Sequence, residues 1–447
     1  LGLVALHFYQ CRLLQLTTSA DQIATIVSFL PPHGAGRSLL VHEHMTTVAT
    51  PPRPSLLPRL QQPQQPPLPQ DESFGACLLV KGDNDLLTEW IPYHYTVLPL
   101  RHVFIASDID NPEDPEHVLR RWTLAHTSLQ YHVVPLSRFF NGTKTGHHDH
   151  GLSRFNRKLR RQGKMEINTT DHPVFQQEVA HHVLMDKQRA LITHCTRYMR
   201  EKGVQWVTYH DTDEFLVVNT GWQQETARAV GDTTTASSRN RTTVMDVLLR
   251  DKESGGVHGH CQVLPRVTVG ALENFTCQGA HDTNAFVRRH FVGSDPTFLS
   301  SSTTTLPRVF HTLRFQQHAH KDDFSQNRFA KAFVNIGSLT GTNLQEETPH
   351  NIHRPFPNIC PRPVASVHSS PFYLLHYVGG WERFRAKRDA RRGYDEWNTR
   401  AMIADSASCC DQQPYLWIHD FVKLVGLERA QYLLASNEDR EAMAKVL

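Results

Sequence analysis

The segment VQWVTYHDTDEFL, residues 204–216, decides how this chain reads. Val204–Tyr209 is an apolar, β-branched and aromatic run of strand length. It leads straight into His210, Asp211, Thr212, Asp213 and Glu214, and Phe215 and Leu216 then return the chain to apolar character. In an extended segment residues i and i+2 share a face, so Asp211 and Asp213 are expected to point together at a strand end. Two carboxylates there suit a hard divalent cation with oxygen ligands, Mg²⁺ or Mn²⁺. An Asp-x-Asp taken alone is usually a solvated turn. Its position between two apolar segments argues against a plain surface turn.

Working outward, Gly203 stands where a helix C′ residue belongs. Before it, Phe175–Lys202 reads as a long amphipathic helix with Phe175, Val179, Val183, Leu191, Cys195 and Tyr198 near one stripe. Ala76–Lys81 (ACLLVK) reads as a buried strand. Leu86–Leu98 has helical spacing, with Trp90, Tyr93, His94 and Val97 on one face, and Arg101–Ser107 reads as a further strand ended by Asp108. Strand, helix, strand, helix, strand argues for an α/β domain with a largely parallel sheet. Ligands of such sheets sit at the carboxyl ends of the strands.

Thr50–Gln70 (TPPRPSLLPRLQQPQQPPLPQ) lacks the burial and the backbone donors of a core segment and reads as a linker or stalk. The expected organisation is an N-terminal segment over 1–48, the Pro/Gln-rich stalk over 49–72, the α/β domain over 73–400 and a helical extension over 401–447. Leu1–Leu6 (LGLVAL) reads either as the remnant of a signal anchor or as an ordinary buried end. Elsewhere no apolar run approaches transmembrane length, which excludes a multi-span membrane protein. The charge balance is 47 − 44 = +3 over 447 residues, which gives no basis for nucleic-acid binding. The eight cysteines include no CxxC pair, so a structural zinc site is not expected. Their even number is compatible with disulfides in an oxidising lumen and with buried thiols alike. Sequons occur at Asn141, Asn168, Asn240 and Asn274, and three of them lie in polar, turn-rich stretches.

Three blocks resemble glycosyltransferase family 92 and related GT-A transferases. The first is Cys77–His94 (CLLVKGDNDLLTEWIPYH), similar to that family's opening strand, loop and Glu-Trp-x-x-x-His helix. The second, Gln188 to Phe215, resembles its Gln…Cys helix, Trp strand and Asp-x-Asp-Glu-Phe. The third, His376–Lys387 (HYVGGWERFRAK), is similar to the closing His-Tyr block with its Glu-x-Phe helix. Order and approximate spacing agree from about residue 74 to 390. The first loop departs, reading Lys-Gly-Asp-Asn where the family usually has Lys-Asn-Glu. The last fifty or so residues have no placed counterpart.

The resemblance implies a GT-A fold: a mixed, mostly parallel sheet flanked by helices. It implies an inverting, metal-dependent transfer of a sugar, galactose from UDP-galactose, to a hydroxyl of a glycan or glycoprotein. Mn²⁺ (or Mg²⁺) would be held by Asp211, Asp213 and His376, with Asp213 the more direct ligand. Taken without the family, His376 reads as a core histidine. Lys81, Asp83, Asp108, Asp211 and Lys331 would bind the nucleotide sugar. Asp108 reads equally as a turn former, and Lys331 as a snorkelling surface lysine. Glu89 and Trp90 read as packing and capping residues. Inversion in one step needs a carboxylate base. Glu214, Asp282, Asp322, Asp323 and Glu382 are available, and Glu382 and Asp323 are the candidates taken forward. His350 and His353 could line an acceptor cleft, ligate metal or be structural, and the Gly146–His150 cluster reads as a solvated loop. The implied setting is the Golgi or secretory-pathway lumen, with membrane contact only through an N-terminal anchor and no nucleic-acid partner. The competing readings are a non-catalytic glycan- or nucleotide-binding relative and a metal-dependent phosphoesterase.

Overall fold

The structure, a computed structural model, describes in the main residues 73–140, 155–167, 172–219, 260–270, 310–319, 327–339, 349–360, 366–386 and 413–434. The N-terminal segment, the stalk, the four sequons and the Gly146–His150 cluster lie outside the described residues.

The fold is α/β. A six-stranded sheet has the order β3-β2-β1-β4-β8-β6. Its strands are β1 (Phe74–Val80), β2 (Leu100–Ser107), β3 (Gln130–Pro135), β4 (Trp206–Tyr209), β6 (Cys261–Leu264) and β8 (Lys331–Asn335). The first four run parallel, whereas β8 is antiparallel to both β4 and β6. A smaller sheet, ordered β5-β9-β7, contains β5 (Glu214–Val218), β7 (Arg266–Val269) and β9 (Phe372–Tyr377). The sheet is therefore mostly parallel, as the alternation of strands and helices predicts, and is mixed through β8.

The pleat of β1 divides the core. Ala76, Leu78 and Val80 pack with α1 (Asn84–Val97) and α2 (Glu116–Leu124) on one face. Cys77, on the opposite face, packs with α3 (Pro173–Glu201). Successive strand residues point to opposite sides, so β1, β2 and β4 are apolar nearly throughout, as strands covered on both faces must be. The C-terminal helices α6 (Gln413–Val425) and α7 (Leu427–Leu434) belong to the first core: Trp417 and Phe421 pack with Trp90, Tyr93 and Trp122.

Two disulfides staple distant segments. Cys77–Cys195 ties β1 to α3, and Cys261–Cys360 ties β6 to the 349–360 loop. Such bonds persist in oxidising compartments, which marks an extracellular or secretory-pathway protein. Among the described residues no helix is long and apolar enough to cross a membrane.

Candidate functional site

The 211–213 segment is not the extended continuation of β4 that the i, i+2 reading expects. It is a turn, closed by reciprocal bonds: Glu214 N–H donates to the Asp211 carbonyl (3.2 Å) and Asp211 N–H donates to the Glu214 carboxylate (3.1 Å). The turn carries the chain from the large sheet into the small one. Its two aspartates engage different partners.

Asp211 meets Lys331. The antiparallel register of β4 and β8 pairs Thr208 with Phe333. Two further steps bring Lys331 opposite His210, one residue from Asp211. Lys331 Nζ donates to Asp211 Oδ2 at 2.6 Å and lies 3.1 Å from Glu214 Oε2. The lysine side chain is fully buried, so the snorkelling surface lysine is excluded. Glu214 is also fully buried and accepts from Arg266 at 3.4 Å. A buried charge persists only when paired, and this network pairs each member. Burial disfavours the Asp211 carboxylate, but Lys331 outweighs it and the pKa is lowered. Burial raises Glu214 to about 7 against the pull of Lys331 and Arg266. Glu214, a candidate base by sequence, is thus committed to holding the turn.

Asp213 meets His376. Glu214 of β5 pairs directly with His376 of β9, and Tyr377 N–H donates to the Asp213 carbonyl (2.9 Å). That register sets His376 Nε2 3.8 Å from Asp213 Oδ1, with both side chains mostly buried. Two donors on one first-row ion, each about 2.1 Å away, lie within about 4 Å of each other. A carboxylate beside an imidazole suits Mn²⁺ better than Mg²⁺. Among the described residues no group of three or more His, Cys, Asp or Glu is disposed to hold a metal. The corner thus offers two protein donors, Asp213 and His376.

Helix α1 positions this corner. β5 is an edge strand of the small sheet, and its outward backbone groups need partners. Trp90 Nε1 donates to the Glu214 carbonyl (2.9 Å), Tyr93 Oη donates to the Leu216 carbonyl, and Leu216 N–H donates to His94 Nε2 (3.3 Å). These three residues sit at i, i+3 and i+4, one helix face. The His94 proton then resides on Nδ1, bonded to the Trp90 carbonyl at 2.8 Å. Burial holds this ring neutral, with its pKa lowered to about 3. Glu89 accepts from His311 N–H (2.7 Å) and Thr312 N–H (2.9 Å), capping the short helix α4 (His311–Arg314).

The other expected nucleotide-binding residues take their own partners. Lys81 lies 3.9 Å from Asp110. Asp83 accepts from Arg383 at 3.1 Å, which links the β1–α1 loop to α5 (Trp381–Ala386). Asp108 ends β2 and accepts from Lys187 at 2.6 and 2.9 Å. Gly82, between Lys81 and Asp83, has φ +62° and donates its N–H to Asn111 Oδ1 (2.7 Å), so the turn demands a residue free to adopt that region. Glu382 lies on α5, but its side chain is outside the described residues, as are Asp282, Asp322 and Asp323.

Sequence reasoning singled out neither Arg266 nor the place of His353. Arg266 opens β7 directly after a β6–β7 junction and is drawn in by Glu214. His353 Nδ1 bonds to the Ala330 carbonyl (3.1 Å), and burial together with Lys331 lowers its pKa to about 3. A basic residue at the start of a short apolar strand is the only signal Arg266 carries, and His353 lies in a loop with no periodic pattern to place it. No known family model matches this chain, and no curated protein matches it.

Proposed function

We propose that this chain is a metal-dependent glycosyltransferase of GT-A type, similar to glycosyltransferase family 92. It would move galactose from UDP-galactose to a glycan hydroxyl with inversion, in the Golgi or secretory-pathway lumen as a type II membrane protein. The observation that carries this reading is the corner between β4 and β5. There the carboxylate of Asp213 and the imidazole of His376 meet at the carboxyl end of a parallel-sheet strand. That is where an open α/β sheet takes its ligand.

Asp213 and His376 are the proposed holders of Mn²⁺, which when bound would neutralise charge on the diphosphate. Asp211, held ionised by Lys331, is the proposed nucleotide-facing carboxylate. Lys81, Asp83 and Asp108 border the same side of the sheet through the β1 and β2 loops. Proton removal from the acceptor is assigned to Glu382 or Asp323.

The test is titration calorimetry of UDP with and without Mn²⁺, followed by a screen of nucleotide sugars for turnover. Metal-linked UDP binding and release of free or transferred sugar support the proposal. UDP binding without any turnover would reduce the protein to a binding relative, and absence of UDP binding would remove the reading altogether.

A further inference from the structure

A cleft lies on the α3 face of the sheet, away from the carboxylate corner. Phe104 at its floor is level with Cys77, which is level with Tyr209, so two strand spacings, about 10 Å, separate Phe104 from β4. It is an open depression of ≈ 330 Å³, lined among others by Phe104, His132, Phe139, His194 and Tyr198, with Arg138 and Arg197 at its margin. On α3, residues 194, 197, 198 and 201 recur at i, i+3, i+4 and i+7 and so share one face.

The rings form a continuous surface. His132 stacks on Tyr198 (4.7 Å between centroids, 8° between planes) and His194 stacks on Phe139 (4.3 Å, 20°). Phe104 bridges the two pairs, 5.6 Å from His132 and 6.5 Å from Phe139. Two guanidinium groups stand at the rim, where Arg138 and Arg197 are exposed. Among the described residues neither has a carboxylate partner, and the lining holds one acid, Glu201.

We propose that this cleft binds an acidic saccharide, a sugar ring carrying a sulfate or carboxylate. The apolar C–H face of such a sugar packs against the ring surface, and its anion pairs with Arg138 and Arg197. Guanidinium is the side chain best matched to a planar or tetrahedral oxyanion, through paired N–H donors. An inorganic anion has no apolar face for the rings, and a neutral sugar leaves the guanidiniums unpaired. The disulfides place the chain in the compartments where glycans occur. The field of the cleft agrees: burial first, then Arg138 and Lys202, lowers the His132 pKa, and burial with Arg197 lowers that of His194. This inference does not depend on the proposed transferase activity.

The test uses the full chain with four probes: a sulfated disaccharide, its unsulfated counterpart, inorganic sulfate and an acidic peptide of equal charge. Binding is followed by calorimetry and by the imidazole NMR signals of His132 and His194. The sulfated disaccharide should bind at least tenfold tighter than the other three and shift both imidazoles. Arg138→Ala and Arg197→Ala should each weaken it about tenfold, and Arg138→Lys should restore part of the loss. Both arginines are exposed, so folding should survive, which circular dichroism would verify. Equal binding of sulfate or of the unsulfated sugar, preference for the peptide, insensitivity to both arginine variants, or no binding at all would each overturn the proposal.

Discussion

Lys331 Nζ lies 2.6 Å from Asp211 Oδ2, with the whole lysine side chain buried beneath the β4–β5 turn. The pair brings a charge from the first residue of β8 to the first aspartate of the turn, and Glu214 and Arg266 complete the network around it. Removing Lys331 leaves the buried Glu214 and the part-exposed Asp211 without their shared cation. Lys331→Met should cost about 3–5 kcal/mol, measured by urea denaturation. The double variant Lys331→Met/Glu214→Gln should recover part of that loss, because the buried carboxyl that Lys331 faces is then neutral. A loss under 1 kcal/mol for the single variant would mean that the network carries little of the stability of this corner.

On the proposed function, Asp213 should matter for metal and not for folding. Asp213→Ala keeps the backbone carbonyl that accepts from Tyr377, so the β5–β9 ladder stays closed. The variant should unfold at a denaturant concentration close to that of the parent. Its Mn²⁺-linked UDP binding should disappear, and His376→Ala should weaken that binding at least tenfold. In the parent, chelation with EDTA should have the same effect as Asp213→Ala. Retention of full metal-linked binding in the Asp213 variant would show that the ion sits elsewhere.

The sequence exposes this fold unevenly, for physical reasons. β1, β2, β4, α1 and α3 are legible because their apolar content matches their burial: both faces of β1 are covered, so it reads as an unbroken apolar run, and α1 carries Trp90, Tyr93 and His94 at helical spacing. β3 is not legible. As an edge strand it buries Val134 alone to the full, and its pattern QYHVVP lacks alternation. The small sheet is harder still, since β5, β7 and β9 are drawn from positions 214, 266 and 372, and their pairing is wholly non-local. At the site, the positions of the two aspartates were legible but their direction was not. Periodicity carried β4 forward as a strand, whereas the reciprocal Asp211–Glu214 bonds close a turn. The pairing of Cys77 with Cys195 and of Cys261 with Cys360 has no signature along the chain, because it follows from which strands become neighbours.

Glu89 should give stability a pH dependence. Burial raises its pKa to about 7, against the bonds from Thr312 and His311 that favour the carboxylate. A folded-state pKa above the unfolded value means that the folded chain binds the proton more tightly. Its contribution is complete below about pH 4.5 and is lost as pH rises through about 7. The full contribution is about 3 kcal/mol. His94 and His353 act in the opposite sense. Burial lowers each to about 3, so their contribution is present above pH 6.5 and is lost as pH falls toward 3. Subtracting Glu89→Gln from the parent isolates the glutamate. Urea denaturation at pH 5 and pH 8 should give a parent-minus-variant difference that shrinks by about 2–3 kcal/mol at the higher pH. A difference independent of pH would rule out a titrating Glu89.

The two disulfides should contribute comparably and through the unfolded chain. They close loops with sequence separations of 118 and 99 residues. Loop-closure entropy for loops near that length amounts to about 4–5 kcal/mol each. Cys77→Ala/Cys195→Ala removes a cross-link between β1, central in the larger sheet, and α3, packed on its face, and leaves small side chains in a closely packed site. Cys261→Ala/Cys360→Ala instead frees the 349–360 loop, which carries His353 toward Lys331 and Asp211. Both double variants should unfold at lower denaturant concentration. Only the second should also change the pKa of His353, followed by NMR of its imidazole, because only there does the lost cross-link hold a residue of the carboxylate corner. If the first pair perturbed His353 as strongly as the second, the loop would be held by the sheet as a whole and not by its own disulfide.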